Sequence, residues 1–334
     1  MSFVGAPSEA AAGGRGRIDA IDVARGVALV AMATYHFAWD LEFFGYLEPG
    51  TSGTGALKIY ARAIASSFLF LVGVSLVLAH GRGIRWRPFA RRWVMVAGAA
   101  ALITVATWFA TPESFVFFGI LHHIALASLL GLLFLPLPWW ALVGLAVAIQ
   151  IATPFLQTPQ FADPATYWTG LSSIPPRSND FVPVLPWFSA TLGGMAAGKL
   201  LFFVAETPGA LTPGGWRASG PVWNTLAVFG RWSLTFYLLH QPILIALVYG
   251  FSLVAPPDPA ADFARACQAQ CTASFDAAPF TVYCACAQAE LTAAGKMQSL
   301  ADDPSLAQTD LETGRIIAQC AFEAGLTGKT ETGR

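Results

Sequence analysis

Residues 66–78 read SSFLFLVGVSLVL, and residues 80–93 read HGRGIRWRPFARRW. The first run carries no charged side chain and extends N-terminally into a candidate span over 57–79. A helix needs about 20 predominantly apolar residues to cross a bilayer. The second run places Arg82, Arg85, Arg87, Arg91 and Arg92 directly behind it, and cations gathered in a short loop mark the cytoplasmic side. These neighbouring stretches decide the fold class: an all-α, polytopic helix bundle in a membrane.

The whole chain agrees. Its 334 residues are 55% hydrophobic and only 12% charged, with a mean hydropathy of +0.56. Soluble domains carry about 25% charge. A net charge of −1 leaves no field to gather nucleic acid. Seven spans are expected, at 23–43, 57–79, 93–110, 117–135, 139–156, 183–204 and 226–254. The last is over-long, and its start at 222–230 reads as an interfacial piece.

The loops give an orientation. Arg15, Arg17 and Arg25 precede or open the first span, while Lys199 and Arg217 flank the end of the sixth. The alternate loops are poor in cations: 44–56 and 111–116 have none, and 157–182 has only Arg177. With seven spans, every basic cluster falls on the cytoplasmic side together with the N-terminus. The expected location is a bacterial inner membrane, with the C-terminal tail periplasmic.

Three segments follow. Residues 1–17, rich in Gly and Ala, read as a disordered cytoplasmic N-terminus and not as a cleavable leader. Residues 18–255 are the transmembrane domain. Residues 256–334 follow the linker PPDP and hold all five cysteines, Cys267, Cys271, Cys284, Cys286 and Cys320. Helices are expected over 260–274, 285–300 and 305–325, interrupted by DDPS and by Gly314. So small a unit gains from staples, and an oxidising location favours disulfides. The pairing is not readable from sequence, and an odd count leaves one thiol over. The C-x3-C and C-x-C spacings fit no usual zinc pattern, and no metal is expected.

Ionisable groups inside spans mark function. His36 and Asp40, in ATYHFAWDL at 33–41, share one face of the first span. A carboxylate there can orient an imidazole and stabilise its cation. His122 and His123 lie in the fourth span, and His240 lies in the seventh, two residues before Pro242. Each of these histidines also has a plain reading as a hydrogen bond between helices. Asp22 and Arg25, three apart, sit at the cytoplasmic end with Arg231. The plain reading of those groups is a terminal ion pair and an interface anchor, and the positive-inside rule by itself accounts for the Arg82–Arg92 cluster.

RIDAIDVARGVALVAMATYHFAWDLEFFG at 17–45 resembles the opening signature of the heparan-alpha-glucosaminide N-acetyltransferase catalytic-domain family, a group of transmembrane acyltransferases. SSFLFLVGVSLVL, FFGILHHIALASLL, VLPWFSATLGGMAAGKL and GRWSLTFYLLHQPIL are similar to its later segments. The resemblance covers about 15–254 and excludes the cysteine tail. It implies acetyl transfer from cytoplasmic acetyl-CoA to an extracytoplasmic sugar or glycan, with a histidine as the key group. Carried over by position, that histidine is His36, with Asp40 beside it. In the eukaryotic branch an amide occupies this position and the histidine comes later, toward the second helix. Residues 41–79 here contain no histidine, so either the role sits on His36 or the chemistry differs.

The expected reaction is therefore acetyl transfer in which His36 is base or acetyl carrier. His240, His122 or His123 would polarise the thioester. Asp22, Arg25, Arg82, Arg85 and Arg231 would hold the acyl-CoA end. Two rivals use the same polar groups: a membrane exporter or flippase with a proton relay, and a bis-histidine haem protein.

Overall fold

The structure, a computed structural model, describes residues 18–48, 50–205, 216–258, 260, 263, 267, 277–303 and 305–326. The described residues are helical and contain no β-strand; one isolated bridge joins Thr158 and Ser172. The helices are α1 (Asp19–Phe43), α2 (Gly55–His80), α3 (Trp86–Ala110), α4 (Ile120–Phe134), α5 (Trp139–Leu156), α6 (Val184–Ala205), α7 (Pro221–Arg231), α8 (Ser233–Ser252), α9 (Ala277–Ala293), α10 (Met297–Asp302), α11 (Leu306–Thr309) and α12 (Leu311–Glu323).

Four of them, α2, α3, α5 and α8, are long and apolar enough to cross a membrane. The other three expected spans are helical too. Helix α4 has 15 residues, about 22 Å at 1.5 Å per residue, and α1 carries Asp19, Asp22, Arg25, Asp40 and Glu42. Helix α3 starts at Trp86 and not near 93, because Arg87, Arg91 and Arg92 end an apolar window without ending a helix. The over-long seventh segment divides at Trp232 into α7 and α8, as its interfacial start implied.

The chain packs as two compact units. The first comprises Met1–Met32 and Ala61–Leu239, and the second Ala33–Tyr60 and His240–Arg334. Helices α1, α2 and α8 contribute segments to both.

In the first unit the core joins α2, α4, α5 and α6 through Leu76, Val77, Ala127, Leu142, Leu192 and Met195. Glycines set the closest approaches. A Cβ on Gly73 would stand 2.0 Å from the Thr191 carbonyl oxygen, and one on Gly194 would stand 1.9 Å from that of Phe70. Helices α2 and α6 therefore touch backbone to backbone at reciprocal glycines, the small-residue packing that replaces hydrophobic driving force inside lipid. Outward faces are apolar: Phe109 on α3 and Phe155 on α5 are 81% and 82% exposed. Such surfaces fit hydrocarbon.

The second unit contains the ends of α1, α2 and α8 and the helices of the tail. Glu42 ties down the α1–α2 loop by accepting from the Gly50 and Ser52 N–H groups, each at 2.6 Å. Ala287, Leu291, Met297, Leu300, Ile316 and Cys320 form the tail core. Disulfides join Cys267 to Cys284 and Cys286 to Cys320. Cys271 lies outside the described residues, as do residues 1–17 and most of the expected 260–274 helix. Gly314, expected from sequence to interrupt a helix, lies within α12 instead. The break falls at Asp310, whose Oδ2 accepts from the Thr313 N–H at 3.1 Å and so caps α12.

Candidate active site and an arginine-lined cavity

In the second unit the pairing of α1 with α8 has two rungs. His36 Nδ1 lies 2.6 Å from His240 Nε2, and the rings stack at 12° with centroids 4.9 Å apart. One turn further along α1, Asp40 Oδ1 accepts from Gln241 Nε2 at 2.6 Å. Helical geometry accounts for this. Positions 36 and 40 share a face of α1, and they meet the consecutive residues 240 and 241 of α8. Pro242 follows directly and removes one helix-forming N–H from α8.

Two of the predicted catalytic imidazoles thus come together. The expected bond between Asp40 and His36 is replaced by Asp40–Gln241 and His36–His240. A ring-to-ring bond needs one N–H and one lone pair, so the two imidazoles hold complementary tautomers. His36 Nε2 has no hydrogen-bond partner among the described residues, and the residue is half-buried. An imidazole whose Nδ1 is held and whose Nε2 is open is suited to take a proton or a group at Nε2.

His122 and His123 lie in the first unit, and their bonds are local. The Gly119 N–H donates to His122 Nδ1 at 3.2 Å, so Nε2 carries the proton and donates to Thr104 Oγ1 at 3.0 Å. That hydroxyl donates in turn to the Val116 carbonyl. The ring straps α3 to the N-terminus of α4. His123 Nδ1 lies 3.1 Å and 3.2 Å from the Val182 and Pro183 carbonyls, so it too carries the proton, while Nε2 is buried without a partner.

Sequence reading missed the group beside them. Asp180 Oδ2 accepts from the Ile120 N–H at 2.9 Å at the start of α4, where the helix dipole favours negative charge. Gly119 makes room for it, since a Cβ there would stand 2.3 Å from Oδ2. Burial pushes the Asp180 carboxyl up, against the opposing pull of its bonds to Ile120 and Tyr237. The only trace of this in the sequence is the acid of the RSNDFVP stretch, close before the sixth span.

The residues predicted to hold the donor also lie in the first unit. A cavity of about 390 Å³ is lined by Arg25, Arg92, Arg231, Leu29, Phe68 and Tyr237. A second, of about 200 Å³, is lined by Ser75, His80, Arg85, Arg92 and Trp93. Arg92, Val72, Val96 and Ile124 wall both. Arg25 Nη1 pairs with buried Asp22 at 3.3 Å, and its Nη2 donates to Ser75 Oγ. Arg231 arrives through another reciprocal glycine contact. A Cβ on Gly26 would stand 2.1 Å from the Leu226 carbonyl oxygen, and one on Gly230 would stand 1.7 Å from that of Asp22. Helix α7 therefore lies flush on α1. Of the five predicted donor residues, Arg25, Arg85 and Arg231 line cavities. Asp22 sits behind Arg25, and Arg82 is on the exposed α2–α3 turn. Among the described residues no cluster of three or more metal-ligating side chains is present.

No curated protein and no solved structure matches the chain. The family model described as "Heparan-alpha-glucosaminide N-acetyltransferase, catalytic" matches residues 17–242. The match takes in α1 to α7 and reaches His240 and Gln241, leaving out the cysteine tail. This integral membrane chain belongs to the heparan-alpha-glucosaminide N-acetyltransferase catalytic family, a family of transmembrane acyltransferases.

Proposed function

We propose that the chain transfers an acetyl group from cytoplasmic acetyl-CoA to an amine or hydroxyl of an extracytoplasmic sugar or glycan. The observation that carries the reading is the His36–His240 pair with its open His36 Nε2. The loop charges support seven spans with the N-terminus cytoplasmic and the tail on the opposite side, and the membrane we assign is a bacterial inner membrane, with the tail periplasmic. The disulfides of the tail accord with an oxidising side.

His36 donates Nδ1–H to His240 Nε2, which leaves the lone pair on His36 Nε2. That nitrogen removes the proton of the acceptor amine or hydroxyl as the acceptor attacks the thioester carbonyl. The carbon–sulfur bond breaks, and the departing thiolate takes up a proton from the imidazolium. His240 shares the positive charge while it exists, as an orienting partner does in hydrolases. Arg25, Arg92, Arg231 and Arg85 supply cationic hydrogen-bond donors suited to phosphates of the donor. Tyr237 and the apolar wall suit its pantetheine arm.

Vesicles containing the protein, given labelled acetyl-CoA and glucosamine-bearing acceptors, test the reading. Labelled acceptor is the expected result. Transport of acceptor without label would replace the enzyme by an exporter. The haem alternative sits poorly with a direct ring contact of 2.6 Å, since two imidazoles that share one metal stand about 4 Å apart, twice a metal–imidazole bond.

A further inference from the structure

The second α1–α8 rung does not balance with Asp40 ionised. Asp40 is fully buried, and its Oδ1 accepts from Gln241 Nε2. The remaining oxygen of each group, Asp40 Oδ2 and Gln241 Oε1, is shielded and without a hydrogen-bond partner. Two buried acceptors with no donor are costly, more so when one is charged. No cation pairs with Asp40 among the described residues. The ionisable neighbours on its two helices are engaged elsewhere: His36 with His240, and Glu42 with two backbone N–H groups.

A protonated carboxyl and a primary amide are each donor and acceptor, and so can close a ring of two hydrogen bonds. A proton on Oδ2 turns the two orphaned acceptors into the second of them. We propose that Asp40 is a neutral carboxylic acid that clasps Gln241 through two hydrogen bonds, and that this clasp is the positioning device of the histidine pair. Gln241 Nε2–H donates to Oδ1, and Oδ2–H donates to Gln241 Oε1. The clasp sets the register of α8 on α1, and the residue next to Gln241 is His240. Gln241 is thus a positioning residue. Asp40 is a latch and not an anionic orienter, so it takes no share of the charge formed during transfer. The positioning role rests on the acetyltransferase reading; the protonation of Asp40 does not.

The infrared difference spectrum between the full chain and Asp40→Asn, both in lipid vesicles at neutral pH, tests the proton directly. An asparagine amide can make both bonds of the clasp, so the variant is expected to fold. The expected difference is loss of a protonated-carboxyl carbonyl band; loss of carboxylate bands alone would overturn the proposal. In Gln241→Leu that band is expected to move to higher frequency, because the carbonyl loses its N–H donor, and an unmoved band would overturn the clasp. The same variant is expected to lower kcat about tenfold or more with KM for acetyl-CoA nearly unchanged, as for a misaligned catalytic group. Wild-type rates would overturn the positioning role. If the wild-type protein transfers no acetyl group, the enzymatic reading fails while the infrared result still decides Asp40.

Discussion

His36 Nδ1 and His240 Nε2 stand 2.6 Å apart, joining positions 204 residues distant into one hydrogen-bonded pair. Two imidazoles in direct contact tolerate one shared proton well and two extra protons badly, since like charges at that distance repel.

His36→Ala and His240→Ala are each expected to reduce acetyl transfer by about 10²–10⁴-fold, the range for removal of a general base or its partner. The double variant should lose little more than the worse single one, because the rings act together. Labelled-acetyl assays on variants that elute like wild type check this. Full activity in His36→Ala would remove the assignment.

Gly230→Val is expected to destabilise the protein by about 1–3 kcal/mol, the usual cost of overpacking. Its Cβ would overlap the Asp22 carbonyl oxygen, so α7 must move off α1 and take Arg231 with it. Thermal unfolding in detergent and retention on immobilised coenzyme A should both decline. Gly144→Val is the control, because a Cβ at that position meets nothing within 4 Å.

Arg92 walls both arginine-lined cavities of the first unit. Arg92→Ala is expected to weaken coenzyme A binding about tenfold, equivalent to about 1.4 kcal/mol. Calorimetry on the full chain measures it. Unchanged affinity would mean that the phosphates bind elsewhere.

Non-reducing peptide mapping should recover Cys267 linked to Cys284 and Cys286 linked to Cys320. The second bridge spans 34 positions, for which loop closure predicts about 3–4 kcal/mol of stabilisation. Cys286→Ser is therefore expected to make the tail protease-sensitive. A Cys284–Cys320 peptide would contradict the structure.

Thr313 and, after it, Lys296 hold the Asp310 carboxyl down at about 2, from an ordinary 3.8. A depressed pKa contributes stability that is complete above 3.8 and is lost as pH falls through about 2. The cap on α12 should thus hold unchanged from pH 8 to about 4 and weaken below. Hydrogen exchange of the α12 amides at stepped pH, corrected for intrinsic rates, reads it out.

The sequence by itself determined what depends on local composition. Apolar length made α2, α3, α5 and α8 membrane helices, and the break before α8 followed from a segment too long for one span. Cysteines confined beyond residue 256 foretold a stapled tail, and polar groups inside apolar runs singled out His36, Asp40 and His240. Only the tertiary structure decided the partners. Side-chain bonds between α1 and α8 depend on how two helices are rotated about their axes, which one-dimensional periodicity does not encode. So Asp40 faces Gln241 and not His36, and His122 and His123 serve local bonds. Arg25 and Arg231 line one cavity because Gly26 and Gly230 let two backbones touch, a contact written in the absence of side chains at two distant positions.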